Sequence, residues 1–192
     1  MDVMHLPKLR DRDGMRRKRY PYVATDSASR YVHLAVKDDE IAASAIAFLD
    51  EALAALPFHI TYILTDHGSC FTSDSFEKAC RQYKIEHRAT RPYTPRTDGM
   101  VECFNRRVQR EVLGITIYNH RDLETVLAGF NTAYNSRRQR ALKWRSPDMV
   151  LREHLKAKPE LAKPATKPPE NGVLPKALKV VAAAKEVLHP DS

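Results

Sequence analysis

Two strand-like runs, RYPYVATD (19–26) and RYVHLAVK (30–37), are joined by the short turn SAS. Two apolar-rich runs joined so tightly pair antiparallel, and a hairpin near the chain start commits the rest of the domain to a sheet. Upstream, MDVMHL alternates apolar and polar residues like a first strand, followed by the basic loop PKLRDRDGMRRKR with a turn at Asp13-Gly14. Three antiparallel strands in succession are therefore expected.

Helices enter next. Asp38 and Asp39 stand where they would cap a helix carrying Ala42, Ala45, Ile46, Leu49, Leu53 and Leu56 at helical spacing, ended by Pro57. The strand YILTD closes at Asp66, and a second helix is expected from about Ser73, with Phe76, Ala79, Cys80 and Tyr83 on one face. Asp74 and Glu77 have capping-box spacing. IEHRAT reads as a strand and RPYTPRTDG as a polar loop. A third helix is predicted from about Asp98 to Leu113, apolar at Val101, Phe104, Val108 and Val112. A fourth is predicted from about Asp122 with Leu123, Val126, Leu127, Phe130 and Tyr134. Strands first, then strands alternating with helices, describe an α/β fold with a mixed sheet of five strands and helices on its faces. From about Lys156 the composition turns to Lys, Ala and Pro, so residues 1–155 form the expected domain. Residues 156–192 form a disordered tail ending in one short amphipathic helix.

At 192 residues with 43% apolar content, the chain is long enough for one cored domain. No run is long or apolar enough to span a membrane, and the opening residues are too polar for a signal peptide. Cys70, Cys80 and Cys103 form no paired pattern, which fits a reducing, cytoplasmic setting. No glycine-rich phosphate loop is present, so no nucleotide cofactor is expected. A formal charge of +8 favours a polyanion partner, nucleic acid above all.

Three carboxylates stand out. In a sheet of this order the first and fourth strands lie side by side and parallel, so Asp2 sits beside Asp66. The third helix brings Glu102 in from the side, 35 residues after Asp66. Converging acids repel unless a cation neutralises them, and Mg²⁺ is a hard ion that takes carboxylate, water and phosphate oxygens. Two such ions about 3.5–4 Å apart activate an attacking oxygen and stabilise a leaving one, which is phosphodiester chemistry. Asp26 also ends a strand, but that strand runs antiparallel to the first, so its end points away from the Asp66 tip and Asp26 reads as turn chemistry. On the third helix Glu102, Asn105, Arg106 and Gln109 share a face, an acid followed by groups suited to tracking phosphates. Arg96 and Arg110 add charge beside it. Arg17 and Arg19, in the basic loop before Tyr20 and Tyr22, are further DNA-contact candidates. Trp144 reads as a packing anchor rather than a base-stacking platform. His5, His33, His59 and His87 read as structural or surface residues.

The segments TDHGSCFTS and RPYTPRTDGMVECFN resemble the catalytic core of retroviral-type integrases and bacterial insertion-sequence transposases. That family has an aspartate in the first strand, T-D-N-G at the end of the fourth, and P-x-T-x-G-x-x-E-x-x-N opening a helix. The matches here are Asp2, Thr65-Asp66-His67-Gly68, and Pro95 through Asn105. YPYVATDSASRYVHLAV and YNSRRQRALKWRSPDMVL extend the likeness over residues 2 to about 152. It implies a ribonuclease H-like fold, Mg²⁺ or Mn²⁺ held by Asp2, Asp66 and Glu102, and Asn105 and Arg106 beside DNA. It further implies DNA end cleavage and strand transfer on transposon ends and target, carried out by a homo-oligomer, with the protein at the nucleoid of a bacterium. His67, Asp98 and Cys103 depart from the pattern, where Asn, Asn and Arg are usual or frequent. Members usually carry helix-turn-helix regions before the core, so a truncated transposase is expected. Its alternative form is a catalytically inactive remnant that binds DNA or a full-length partner.

Overall fold

The computed structural model describes residues 1–10, 14–90, 95–112 and 120–164. The central hairpin forms as the sequence predicts. Strand β4 (Tyr20–Thr25) pairs antiparallel with β5 (Val32–Lys37), from Tyr20 opposite Lys37 to Thr25 opposite Val32. Strand β1 (Asp2–Val3) lies on the other side of β4, with Asp2 opposite Val23. Between them the basic loop makes a small ribbon of its own, β2 (Leu9–Arg10) against β3 (Arg16–Arg17). Asp26 closes the hairpin turn: its Oδ2 accepts hydrogen bonds from the Ser29 N–H at 2.8 Å and the Ser29 hydroxyl at 2.6 Å.

Strand β6 (Tyr62–Thr65) pairs in parallel with β7 (Glu86–Ala89), the crossover between them carried by helix α2 (Asp74–Gln82). The Met1 amino group donates to the Leu64 carbonyl at 2.5 Å and joins β1 to β6. The three-stranded antiparallel sheet β1-β4-β5 and the parallel pair β6-β7 are thus joined at Met1, rather than laddered into the single five-stranded sheet expected from the sequence, in a mixed α/β architecture.

The pleat sends successive residues to opposite faces, and each face has its own core. Tyr22, Ala24, Val3 and Ile63 pack with Ala45, Phe48, Leu49 and Ala52 of helix α1 (Ala42–Ala55) and with Phe76 and Cys80 of α2. Val23, Val32, Met4 and Leu6 pack with Phe104, Val108 and Val112 of helix α3 (Pro95–Glu111 and its last turn). Leu123, Leu127 and Tyr134 of helix α4 (His120–Ser136) complete that second layer. Helices therefore cover both faces, as expected.

The helix starts differ from the sequence reading. Ile41 stands at the N-cap of α1 with no side-chain bond, while the Asp39 carboxylate turns to the Ser44 hydroxyl at 2.5 Å. In α2 the cap is Ser73, whose Oγ accepts the Phe76 N–H at 3.3 Å. Glu77 makes no capping box because His87 and Arg81 engage its carboxylate. Helix α3 begins at Pro95, three residues before the expected start, since proline suits the first helical turn, where no N–H is needed. Helix α5 (Pro147–Ala157) follows a Ser146 cap. In the Lys/Ala/Pro-rich stretch, Ala162 bridges to Phe58 and the Lys163 N–H donates to the Pro57 carbonyl at 3.0 Å. Residues 165–192, including the expected short helix, lie outside the described residues. No helix among the described residues is long and apolar enough to cross a membrane.

Candidate active site

Asp66 stands one residue past β6, where the sheet gives way to the turn 66–72. Its Oδ1 accepts the Gly68 N–H at 3.1 Å, and its side chain is open to solvent. A Cβ on Gly68 would lie 3.0 Å from that same oxygen, so glycine keeps the carboxylate in place. Behind Asp66 runs a hydrogen-bonded chain. The Thr65 hydroxyl, fully buried, is 3.0 Å from the Asp66 carbonyl and 2.9 Å from His87 Nε2. His87 Nδ1 lies 2.9 Å from a Glu77 carboxylate oxygen. A carboxylate accepts only, so Nδ1 carries a hydrogen and donates it to Glu77. The His87 bond, followed by that of Arg81, holds the Glu77 carboxyl below its ordinary range.

Asp2 arrives on the neighbouring strand, partly buried. Burial raises its pKa, and the Asp66 charge pushes the same way. The Asn105 amide opposes them by donating from Nδ2 to Asp2 Oδ2 at 2.8 Å. The cationic group acting on Asp2 is the Met1 amino group, whose own pKa burial depresses to about 6. Partly desolvated Asp2 and solvent-open Asp66 therefore act on each other with little positive charge to offset them. The Asn105 Oδ1 beside them is buried without a hydrogen-bond partner. Oxygen donors, mutual repulsion and an orphaned acceptor are the donor chemistry of a hard divalent cation. Among the described residues no three His, Cys, Asp or Glu side chains converge. Glu102 lies within α3, three residues before Asn105, with its side chain outside the described residues.

The predicted DNA-facing residues are placed unevenly. Arg106, Gln109 and Arg110 are exposed on α3, Arg110 lying 3.6 Å from Glu111. Asn105 is turned inward to Asp2, and the Arg96 side chain lies outside the described residues. Arg17 is exposed on the basic ribbon, whereas Arg19 is mostly covered and paired with Asp38. Reading His87 as one of several structural histidines missed its bond to Thr65. The signal was its place at the second position of a strand parallel to β6. Trp144 corrects the sequence reading outright: it is 67% exposed and anchors nothing. A left-handed backbone at Lys143 and Trp144 turns the indole away from the core.

An antiparallel β1-β4-β5 sheet beside the parallel pair β6-β7, with helices on both faces and carboxylates at β1 and after β6, fits a ribonuclease H-like integrase catalytic core. Two family models, each described as an integrase core domain, match residues 1–95 and 83–147, and the chain belongs to that family. The Gag-Pro-Pol polyprotein of human T-cell leukemia virus 2 is 34% identical over 93 residues, 46% of this chain and 6% of the polyprotein. That of sheep pulmonary adenomatosis virus is 28% identical over 112 residues, 58% of this chain and again 6% of the polyprotein. The chain thus spans a small fraction of these relatives. Among solved structures, the catalytic core domain of BIV integrase superposes with a TM-score of 0.62 at 19% identity, covering 82% of this chain and 95% of that one. The simian T-cell lymphotropic virus intasome, in complex with PP2A regulatory subunit B56 gamma, gives 0.57 at 19% identity, covering 90% and 58%.

Proposed function

We propose that this chain is the catalytic core of a DNA-joining recombinase, a transposase or integrase acting by divalent-metal-dependent phosphodiester cleavage and strand transfer. The observation that carries the reading is the Asp2–Asp66 pair. A protein that sets two carboxylates side by side, desolvates one of them and supplies an amide rather than a cation is arranged for an external cation. Mg²⁺ or Mn²⁺ held there would supply Lewis-acid activation of an attacking hydroxyl and charge relief for the leaving oxygen. Glu102 is the acidic position of α3 nearest Asn105, which already touches Asp2, and completes the ligand set in this reading. Asn105 fixes the Asp2 rotamer, Gly68 and the turn amide hold Asp66, and the Glu77–His87–Thr65 chain braces the strand end beneath it. Arg106, Gln109 and Arg110, with Arg96 and Arg17, form the cationic and amide surface for DNA backbone. Transposon ends and target DNA are the substrates, and a homo-oligomer is the working form.

The test has two stages. Mg²⁺ or Mn²⁺ titrated into the protein raises its melting temperature by mass action, and Asp66→Asn abolishes that shift. In a strand-transfer assay with labelled donor ends, Asp66→Asn and Glu102→Gln each remove covalent joining while leaving the circular dichroism spectrum unchanged. Wild-type joining in either variant overturns the assignment. Salt-sensitive DNA binding without metal-dependent joining identifies a non-catalytic DNA-binding form instead.

A further inference from the structure

After α4 the chain makes a closed loop before α5, and the loop presents the chain's single tryptophan to solvent. Gln139 and Arg145 form its base, the Gln139 N–H donating to the Arg145 carbonyl at 3.0 Å. The Trp144 N–H returns to the Gln139 carbonyl at 2.9 Å, and the Lys143 N–H to that of Arg140 at 3.0 Å. Gln139, Leu142 and Ser146 are buried, so the loop is rooted in the fold. At its tip Lys143 and Trp144 adopt φ of +54° and +63° in succession. Left-handed backbone at two consecutive non-glycine residues is sparsely populated and persists only where surrounding bonds enforce it. Glycine or asparagine is the ordinary occupant of such positions. Here a tryptophan is held there and turned outward.

The surroundings give this tip a sign. From Arg137 to Arg145 the sequence RRQRALKWR has five cations and no acid. Arg137 is paired with Glu111 at 3.2 Å and Arg145 with Glu153 at 2.5 Å. Arg138, Arg140 and Lys143 are exposed and have no acidic partner among the described residues. An apolar protein surface would gain the indole but would desolvate those three cations without compensation. An unpaired nucleotide answers both features: its base stacks on the indole and its phosphates meet the cations. The preceding turn of α4 is fastened by Asn135 to the Val32 N–H and C=O at 2.9 and 2.8 Å, at the sheet end that carries the Asp26 turn.

We propose that the 137–145 loop is a second nucleic-acid contact, in which Trp144 stacks on an unpaired DNA base while Arg138, Arg140 and Lys143 hold the flanking phosphates. It rests on the DNA-processing function proposed for the carboxylate site and specifies where, outside the carboxylates, a single-stranded or splayed segment is gripped. Because the chain has one tryptophan, its fluorescence reports on this loop alone.

The experiment titrates the full chain, in EDTA, with a fluorescein-labelled oligo-dT strand and separately with a blunt duplex, recording anisotropy of the DNA and Trp144 emission in the same samples. Stacking quenches the emission on the single strand. Trp144→Ala weakens that binding about tenfold, as removal of one base–aromatic stack does, while Trp144→Phe retains most of it. Replacing Arg138 and Lys143 with Gln lowers the salt dependence of binding. Melting curves confirm that each variant folds. Anisotropy showing DNA bound with unchanged emission and an indifferent Trp144→Ala overturns the contact but leaves the DNA-processing function standing. Equal quenching by the duplex overturns the unpaired-base specificity, and equal quenching by polyglutamate overturns the nucleic-acid assignment of the loop. Absence of any DNA binding at low salt overturns both proposals together.

Discussion

At Asp2 stability and the proposed function oppose each other. Burial and the Asp66 charge raise its pKa, so without metal the fold makes its charged form less favourable than it is in the unfolded chain. The group's contribution is fully favourable below its ordinary value of 3.8 and is lost as pH rises through its raised folded value, leaving a net cost at neutral pH. Asp2→Asn, which keeps an oxygen to accept the Asn105 amide, should therefore raise the melting temperature in EDTA by a few degrees, about 2–4 °C for each kcal/mol at this size. The same substitution should abolish stabilisation by Mg²⁺, and differential scanning fluorimetry with and without the metal checks both signs. His87 offers the reverse case. Replacing it with alanine removes one of the two partners of the buried Thr65 hydroxyl and frees Glu77, at a cost of about 1–3 kcal/mol by urea unfolding. A mere packing role would leave metal affinity unchanged; a brace under Asp66 should weaken it as well, and Thr65→Val should reproduce that weakening.

Among the elements that carry the carboxylates, β1 is the shortest strand. It contributes two ladder residues, whereas its partner β4 has six. By strand alternation Thr25 turns its N–H and C=O toward the line of β1 beyond Met1, and Tyr62 C=O and Leu64 N–H face the same line from β6. A cavity of about 770 Å³ occupies that line, bordered by Met1, Thr25, Tyr62, Leu56 and Leu151. The Thr25 hydroxyl is buried there without a partner. An apolar extension such as Val-Ile-Val placed before Met1 would prolong β1 into the cavity. It should raise the melting temperature by several degrees through added ladder bonds and apolar burial. Proline at the position next to Met1, which faces Thr25, should cancel the gain, since it removes the N–H that Thr25 C=O would accept.

Across the whole molecule, acid stability is a further point where burial sets the direction. His33 stacks on Phe48 with ring centroids 5.6 Å apart, and its Nε2 is buried without a partner. Burial lowers its pKa; Lys37 adds to the shift and Glu51 opposes it. A histidine kept neutral by the fold contributes fully above its ordinary 6.5, and the contribution is lost as pH falls below that value. Melting temperature should decline as pH drops from 6.5 toward 5, and His33→Phe, which keeps the stack, should flatten that part of the profile. Much of the architecture around it was legible in local pattern. Alternation at Tyr22, Val23 and Ala24 and the spacing of Phe104, Val108 and Val112 placed residues on the correct faces, because periodicity is a property of a few neighbouring residues. The addresses of Asp2 and Asp66 came from strand order, and the turn role of Asp26 from its strand direction. Other features depended on contacts between distant parts of the chain. Asn105 reaches Asp2 across 103 positions, and Asn135 reaches Val32 across the same separation. The indole of Trp144 faces solvent because bonds back to Gln139 and Arg140 hold its backbone left-handed, which no apolar count reveals. Sequence by itself determined most of the elements and their faces, and it named the carboxylates as candidates, since these rest on short-range spacing and strand direction. The tertiary structure alone decided which polar groups meet, which stay orphaned and which aromatic is left outside, because burial and hydrogen bonding belong to neighbours in space.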